Sequence, residues 1–402
     1  MRKRQIGWLT VSLLILILVF SMTGMAFVSN SGDNPNSPAR KIVVFQNWLV
    51  DQAQKNQILK QAGVSKVKDL PLINAAVVLT GPDGEKALQQ RLEVLRVDPD
   101  VMVYTQAKPQ PEILPWGVDR IDADLVWDND EPKLEVDPGA NAGGGIKVAI
   151  LDTGIDLDHP DLQANIKGGI NTINPRKSPD DDNGHGTHVA GIIAAVDNAV
   201  GVIGTAPEAW LYAVKVLNRQ GSGYVSDIIE GLQWCIANGM QVVNMSFGTS
   251  SDVQSLHDAI VGAYNNGIVL VAAAGNSGPA DNTVLYPAKY PEVIAVSATD
   301  ENNCIAEWSS RGPEVELAAP GNNVYSTFKG GGYATISGTS MASPHVAGSA
   351  ALVIASGVTD KSEVRSKLQS TADDLGSPGK DNLYGYGLVD AQEAATGVQT
   401  EP

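Results

Sequence analysis

Between Ile146 and Val296 the chain repeatedly sets a short, unbroken apolar run beside a helix-length segment, and this alternation restricts the fold more than any other feature. The runs are Ile146–Leu151, a stretch within Glu208–Val216, Val242–Met245, Ile268–Ala273 and Val293–Val296. Continuous apolar runs of strand length mark strands covered on both faces, as in parallel sheets. Helical spacing intervenes at Val225–Ala237 and Val253–Asn265, and a long helix of small residues runs from Ser340 to Ala355. The pattern predicts an α/β domain: a doubly wound, mostly parallel sheet with helices on both faces. A hydrophobic fraction of 43% is enough to fill both layers. Such sheets carry their chemistry at the carboxyl ends of the strands.

A smaller α+β unit precedes this domain. Its expected elements are a strand at Lys41–Phe45, a helix over Asp51–Ala62, a strand-like run Ile73–Leu79, an amphipathic helix Gly84–Leu95 with Leu88, Leu92 and Leu95 on its apolar side, and a closing strand Val101–Tyr104. Lys108–Pro111 breaks regular structure and reads as an exposed junction. At the start, Arg2, Lys3 and Arg4 precede an apolar run from Trp8 to about Phe20, with small residues after it, the layout of an export signal. The uncharged stretch Gln5–Gly32 is also long enough to span a bilayer, so an uncleaved anchor is the alternative. The expected division is 1–29 signal or anchor, 30–40 linker, 41–106 small unit and 111–397 large domain.

The formal net charge of −17 excludes most nucleic-acid roles, which need Lys and Arg against phosphate. Two cysteines, Cys235 and Cys304, make no disulfide framework, and neither sits in a zinc-type spacing. Gly143–Gly145 precedes its strand, whereas a dinucleotide phosphate loop follows one.

Three segments concentrate chemical residue types. Asp152 ends an apolar strand before Thr153 and Gly154. His185 opens a small-residue helix in Asn183-Gly-His-Gly-Thr-His188. Ser340 follows Ser337-Gly-Thr and opens the long helix. Each has an ordinary structural explanation: a turn or cap aspartate, a metal half-site with His188 at i+3, a helix-capping serine. Together they supply what acyl transfer needs. A serine hydroxyl requires a base, imidazole is the base suited to neutral pH, and a carboxylate fixes its tautomer and stabilises its charged form. Asn276, in Ala274-Gly-Asn276 after another buried strand, reads by itself as a turn residue beside Gly275.

The motifs DTGID from Asp152, HGTHVAG from His185 and GTSMASPHVAG from Gly338 resemble those of the subtilisin-like (subtilase) serine proteases, and the likeness extends from about Trp116 to Asp390. The resemblance implies a serine endopeptidase acting on proteins or peptides, with Asp152, His185 and Ser340 as triad and Asn276 as oxyanion donor. It implies an extended substrate paired with Gly221-Ser222-Gly223 and Ser246-Phe247-Gly248. Leu217, Val225 and Ile228 would line an upstream apolar pocket. Ala273, Ala274 and Gly275 would line the pocket beside the cut, with Leu285 near its floor and a broad, somewhat apolar preference. It implies structural Ca²⁺ held by Asp161, the Asn198 side chain and the carbonyls of Val196, Val200 and Val202, with Glu112 at the N-terminal ligand position. Asp180 and Asp182 form either a second such site or a solvated acidic loop. The small unit resembles the family's propeptide, an intramolecular inhibitor clipped by the enzyme between about Tyr104 and Pro111. The product would be secreted and monomeric. The rivals are an inactive binding protein on the same fold and a zinc hydrolase using His185 and His188.

Overall fold

The computed structural model describes residues 38–46, 50–100, 111–128 and 134–399. The chain divides into two compact units, residues 1–107 and 108–402.

In the first unit the elements are β1 (Ala39–Phe45), α1 (Gln52–Gln61), β2 (Ser65–Leu70), β3 (Ala75–Thr80), α2 (Pro82–Gln89) and β4 (Val94–Pro99). The strands form an antiparallel sheet in the order β2-β3-β1-β4. Its core joins Val43, Phe45, Ala76 and Val78 to Ile58 and Leu59 of α1 and Leu88 of α2. Asp51 caps α1 by accepting from Gln54 N–H, and the Gln54 side chain returns a bond to Asp51 N–H.

Two expectations need correcting here. The helix expected to run to Leu95 stops at Gln89, and β4 follows. Only Leu88 of the three leucines is buried; Leu92 is 88% exposed and Leu95 lies on the outer side of β4. The expected strand 101–104 lies outside the described residues, and β4 is the strand that pairs with β1. Strand β2, rich in lysine, was not expected; its position at the sheet edge explains its charge.

The second unit begins with two short helices, α3 (Trp116–Arg120) and α4 (Asp124–Trp127). There follow β5 (Lys147–Asp152), β6 (Ile166–Asn171), α5 (His185–Ala194), β7 (Trp210–Lys215), α6 (Val225–Ala237), β8 (Val242–Met245), α7 (Gln254–Asn265), β9 (Val269–Ala273), β10 (Ile294–Thr299) and β11 (Val315–Pro320). A hairpin of β12 (Val324–Phe328) and β13 (Gly332–Ile336) leads into α8 (Thr339–Ala355), and α9 (Lys361–Ser370) and α10 (Ala391–Thr396) complete the domain. The seven-stranded sheet has the order β11-β10-β9-β8-β5-β7-β6, with every pair parallel.

Alternation along β5 builds two cores. Val148 and Ile150 join the cluster that includes α5 and α8, while Ala149 and Leu151 join the one that includes α6 and α7. The sheet is therefore covered on both faces, as the apolar runs predicted. Chain order reverses between β5, which leads outward to β6 and β7, and β8, which leads the other way to β9, β10 and β11. A crevice opens at such a reversal, beyond the carboxyl ends of the strands. Asp152 is the last residue of β5 and Ser246 the first after β8.

Cys235 is buried, Cys304 is exposed, and both are free. Among the described residues no helix is long and apolar enough to cross a membrane; the expected signal or anchor lies outside them.

Candidate active site

Asp152 is fully buried at the end of β5, and its Oδ1 lies 2.8 Å from His185 Nδ1. Oδ1 also accepts from Thr153 N–H at 2.7 Å, which holds the carboxylate in place. The imidazole comes from the first residue of α5, and two contacts fix that helix start against β5. Thr153 Oγ1 accepts from Gly186 N–H at 2.9 Å, and Gly186 has no room for a side chain: a Cβ there would lie 2.1 Å from Gly154 O and 3.0 Å from Asp152 Cβ. Burial favours the neutral ring of His185, but the charge and hydrogen bond of Asp152 outweigh it and leave the pKa above the ordinary 6.5. With Nδ1 donating to Asp152, Nε2 is the basic nitrogen.

Gly184, the residue before α5, offers no side-chain cap. Asp181 does this work instead. Its Oδ1 accepts from Asn183 and Gly184 N–H, and its Oδ2 from the N–H and hydroxyl of Thr187. A carboxylate at a helix start also suits the helix dipole. Sequence reasoning passed over Asp181 because it stands within an acidic run. A small-residue helix lacking its own cap residue, with an aspartate just upstream, was the available signal.

Ser340 is the second residue of α8. Its Oγ donates to Ser246 O at 3.0 Å, which puts it just beyond β8. Leu151 pairs with Met245, so Asp152 and Ser246 follow directly on paired residues of adjacent strands. The three segments thus meet at the reversal point. The hydroxyl is hydrogen-bonded to Ser246 rather than to the imidazole; catalytic bonds of this kind often tighten only when substrate binds.

Pro344, inside α8, explains a further contact. It has no N–H for the carbonyl four residues earlier, that of Ser340. The Ser246 hydroxyl donates to Ser340 O at 2.9 Å and fills the gap. Asn276 is oriented just as firmly. Its Oδ1 accepts from both Thr339 N–H and Thr339 Oγ1 at 3.0 Å, which leaves Nδ2 facing away from Thr339. A Cβ on Gly338 would lie 3.4 Å from Asn276 Nδ2 and 3.6 Å from Ser340 N, so the two donors flank one small space.

Further segments were expected to border the substrate. Gly221, Ser222 and Gly223 are exposed, and Ser222 O accepts from Asn218 N–H in a tight turn. Ser246 is buried, Phe247 half-buried and Gly248 exposed. Ala273 and Ala274 are buried at the end of β9, and Gly275 follows with φ +114°. Leu217 and Ile228 are almost wholly buried in the core beneath α6, with Val225 packed against it.

His188 turns away from His185. Its Nε2 lies 3.2 Å from Val324 O and 3.0 Å from Ala334 O in the hairpin, and burial lowers its pKa to about 4. A nitrogen committed to two carbonyls is a proton donor and not itself a metal ligand.

The remaining acidic residues divide into two groups. Asp180 Oδ1 accepts from Leu157 N–H, and Asp182 pairs with the buried Lys215 ammonium at 2.7 Å. Among the described residues no group of three His, Cys, Asp or Glu side chains is placed to hold a metal. The Asp161 loop is different in kind, because most of its oxygens belong to carbonyls and amides. Asp161 is fully buried; Oδ1 accepts from Asn198 Nδ2, and Oδ2 from Val202 N–H and Tyr333 Oη. Asn198 Oδ1 accepts from Val200 N–H, and Glu112 Oε1 accepts from Asn198 N–H. Val196 donates its N–H to Asp161 O. Burial, above all, pushes Asp161 up to about 6 and Glu112 up to about 7, the latter helped by the charges of Asp197 and Asp161. Carboxylate, amide and carbonyl oxygens gathered in one loop are the donor chemistry that suits a hard divalent cation.

Comparison with known proteins agrees with this fold. The model of the subtilase family (peptidase S8) matches residues 143–387. Subtilisin E of Bacillus subtilis (strain 168) is 38% identical over 401 residues, covering 98% of this chain and 100% of that protein. The alkaline protease of Alkalihalobacillus alcalophilus is 39% identical over 407 residues, again 98% and 100%. The thermostable alkaline protease of Halalkalibacterium halodurans is 38% identical over 381 residues, 94% of this chain and 98% of that one.

Proposed function

Since the chain belongs to the subtilase family and is a serine-type endopeptidase acting on proteins, we propose that Ser340 is its nucleophile, His185 its base, Asp152 the carboxylate that orients the base, and Asn276 with Ser340 N–H the oxyanion donors. The bond from Asp152 to His185, at the strand reversal where Ser340 also stands, is the observation that carries this reading. Ser340 Oγ attacks the scissile carbonyl carbon and its proton passes to His185 Nε2. The carbonyl oxygen becomes an oxyanion facing Asn276 Nδ2 and Ser340 N–H. The intermediate collapses as His185 returns the proton to the leaving amine and the C–N bond breaks. Water then repeats the sequence on the acyl-enzyme. Loss of one oxyanion donor costs about 10²–10³-fold in turnover, a magnitude known from subtilisin itself.

The substrate runs as an extended strand between Gly221–Gly223 and Ser246–Gly248. Asp161, Asn198, Glu112 and the carbonyls of Val196, Val200 and Val202 would hold a structural Ca²⁺, which would balance the carboxylate charge and stiffen the loop. The protein is made as a secreted precursor, and the N-terminal unit is an inhibitor that the enzyme removes with its own cut between about residues 104 and 111. Relatives aligned over 98% of the chain, that unit included, support this part.

A fluorophosphonate or sulfonyl fluoride tests the assignment. The reagent should stop proteolysis, and peptide mapping should find it on Ser340 alone. Modification elsewhere with full loss of activity, or full activity with Ser340 modified, would refute it.

A further inference from the structure

Strands β8 and β9 run side by side and parallel, with Met245 opposite Ala272. Beyond their carboxyl ends the chain continues as Ser246–Gly248 on one side and Ala274–Asn276 on the other. The crevice between these segments opens beside Ser340 Oγ, which bonds Ser246 O, and beside Asn276. A peptide whose carbonyl carbon meets Ser340 and whose carbonyl oxygen turns to Asn276 sends the side chain on its acyl side into this crevice.

Both walls carry a glycine, so the crevice ought to be roomy, but one side chain spans it. A Cβ on Gly248 would lie 2.8 Å from Leu285 Cβ and 3.1 Å from its Cδ1. A Cβ on Gly275 would lie 2.8 Å from Leu285 Cγ and 2.9 Å from the same Cδ1. The isobutyl group therefore reaches from wall to wall. Its backbone is pinned. Leu285 N–H donates to Ala274 O at 2.9 Å, its carbonyl accepts from Lys289 N–H, and Tyr286 exchanges two bonds with Thr249 on the far wall. The Leu285 backbone cannot withdraw without breaking the bridge between the two segments.

The geometry points to Leu285 as the residue that sets the substrate class: the enzyme cuts after small residues (glycine, alanine, serine) and discriminates against aromatic and long side chains. This rests on the roles given above to Ser340 and Asn276, and it is narrower than the broad apolar preference that the family resemblance implies. A single methylene in such a pocket is worth about 10–200-fold in specificity, so a ring that must displace Leu285 loses at least about tenfold.

The test uses the mature enzyme and a series of peptide amides identical except for alanine or phenylalanine at the cleaved bond. Wild type should favour alanine by about tenfold or more in kcat/KM, and L285G should raise the phenylalanine-to-alanine ratio at least tenfold. A wild type favouring phenylalanine, or a ratio unmoved in L285G, would overturn the inference. Sequencing of the products that wild type makes from denatured casein needs no variant: small residues should precede most cuts, and a majority of aromatic or long residues there would overturn it equally. A Ser340→Ala variant run beside these separates the two readings. If it still cleaves, the nucleophile is wrong; if it is dead while the L285G ratio stays fixed, only the selector is wrong.

Discussion

At the residue scale the account turns on one hydrogen bond. Asp152 holds His185 by Nδ1 and raises its pKa above the ordinary value, so the ring takes up its proton at a higher pH than a free histidine would. Only the neutral ring can act as base. We therefore expect kcat/KM to fall as the pH drops through a midpoint above 6.5, the ordinary histidine value. Asp152→Asn should cut kcat by about 10⁴-fold, the loss this change brings in a serine protease of unrelated fold, and should move the midpoint down. A pH–rate profile of both proteins checks this; an unmoved midpoint in the variant would deny Asp152 its role. The residues proposed to carry this chemistry were legible in the sequence because their motifs are dense and local. Their supports were less so. Asp181 caps α5, Thr339 turns the Asn276 amide, and the Ser246 hydroxyl fills the gap left by Pro344. Thr339 and Ser246 act across sequence separations of 63 and 94 residues, which no local pattern reveals.

At the scale of elements, helix placement decides whether those groups meet. Gly186 and Gly262 make a matched pair for testing this. A Cβ at Gly186 collides with Gly154 O and crowds Asp152, whereas a Cβ at Gly262 in α7 meets nothing within 4 Å. Gly186→Ala should push the start of α5 off β5 and lower kcat/KM by about 10²-fold, the cost of roughly 1 Å of misplacement. Gly262→Ala should leave activity alone and add about 0.5–1 kcal/mol of stability in a urea melt. Equal effects at the two positions would contradict the close-approach argument. The buried strands β5, β7, β8, β9 and β10 were visible as apolar runs. Strand β11 was hidden by Glu316, which is buried only because Arg365 and Gln369 of α9 reach its carboxylate. The helix expected through Leu95 failed because a leucine spacing fits a helix as well as a turn followed by an outward-facing strand residue.

At the scale of the whole molecule, stability and maturation follow from the same parts. The raised pKa values of Asp161 and Glu112 mean that these carboxyls favour folding when protonated. Their contribution is fully present below the unfolded values of 3.8 and 4.5 and is lost as the pH rises through about 6 and about 7. The calcium ion proposed for this loop would reverse that loss by pairing with the ionised forms. In an inactive Ser340→Ala protein the gain in thermal midpoint on adding Ca²⁺ should be small at pH 4 and large at pH 8, and Asp161→Asn should remove most of it. A gain independent of pH would argue against this site. Maturation offers the most direct test of the central claim, that Ser340 is the group that cuts. Wild type and Ser340→Ala should be expressed as the full 402-residue chain and compared by gel, N-terminal sequencing and casein digestion. Wild type should shed its N-terminal unit and digest casein, while the variant stays at precursor length and inert. A variant that matures by itself and digests casein at the normal rate would contradict the account.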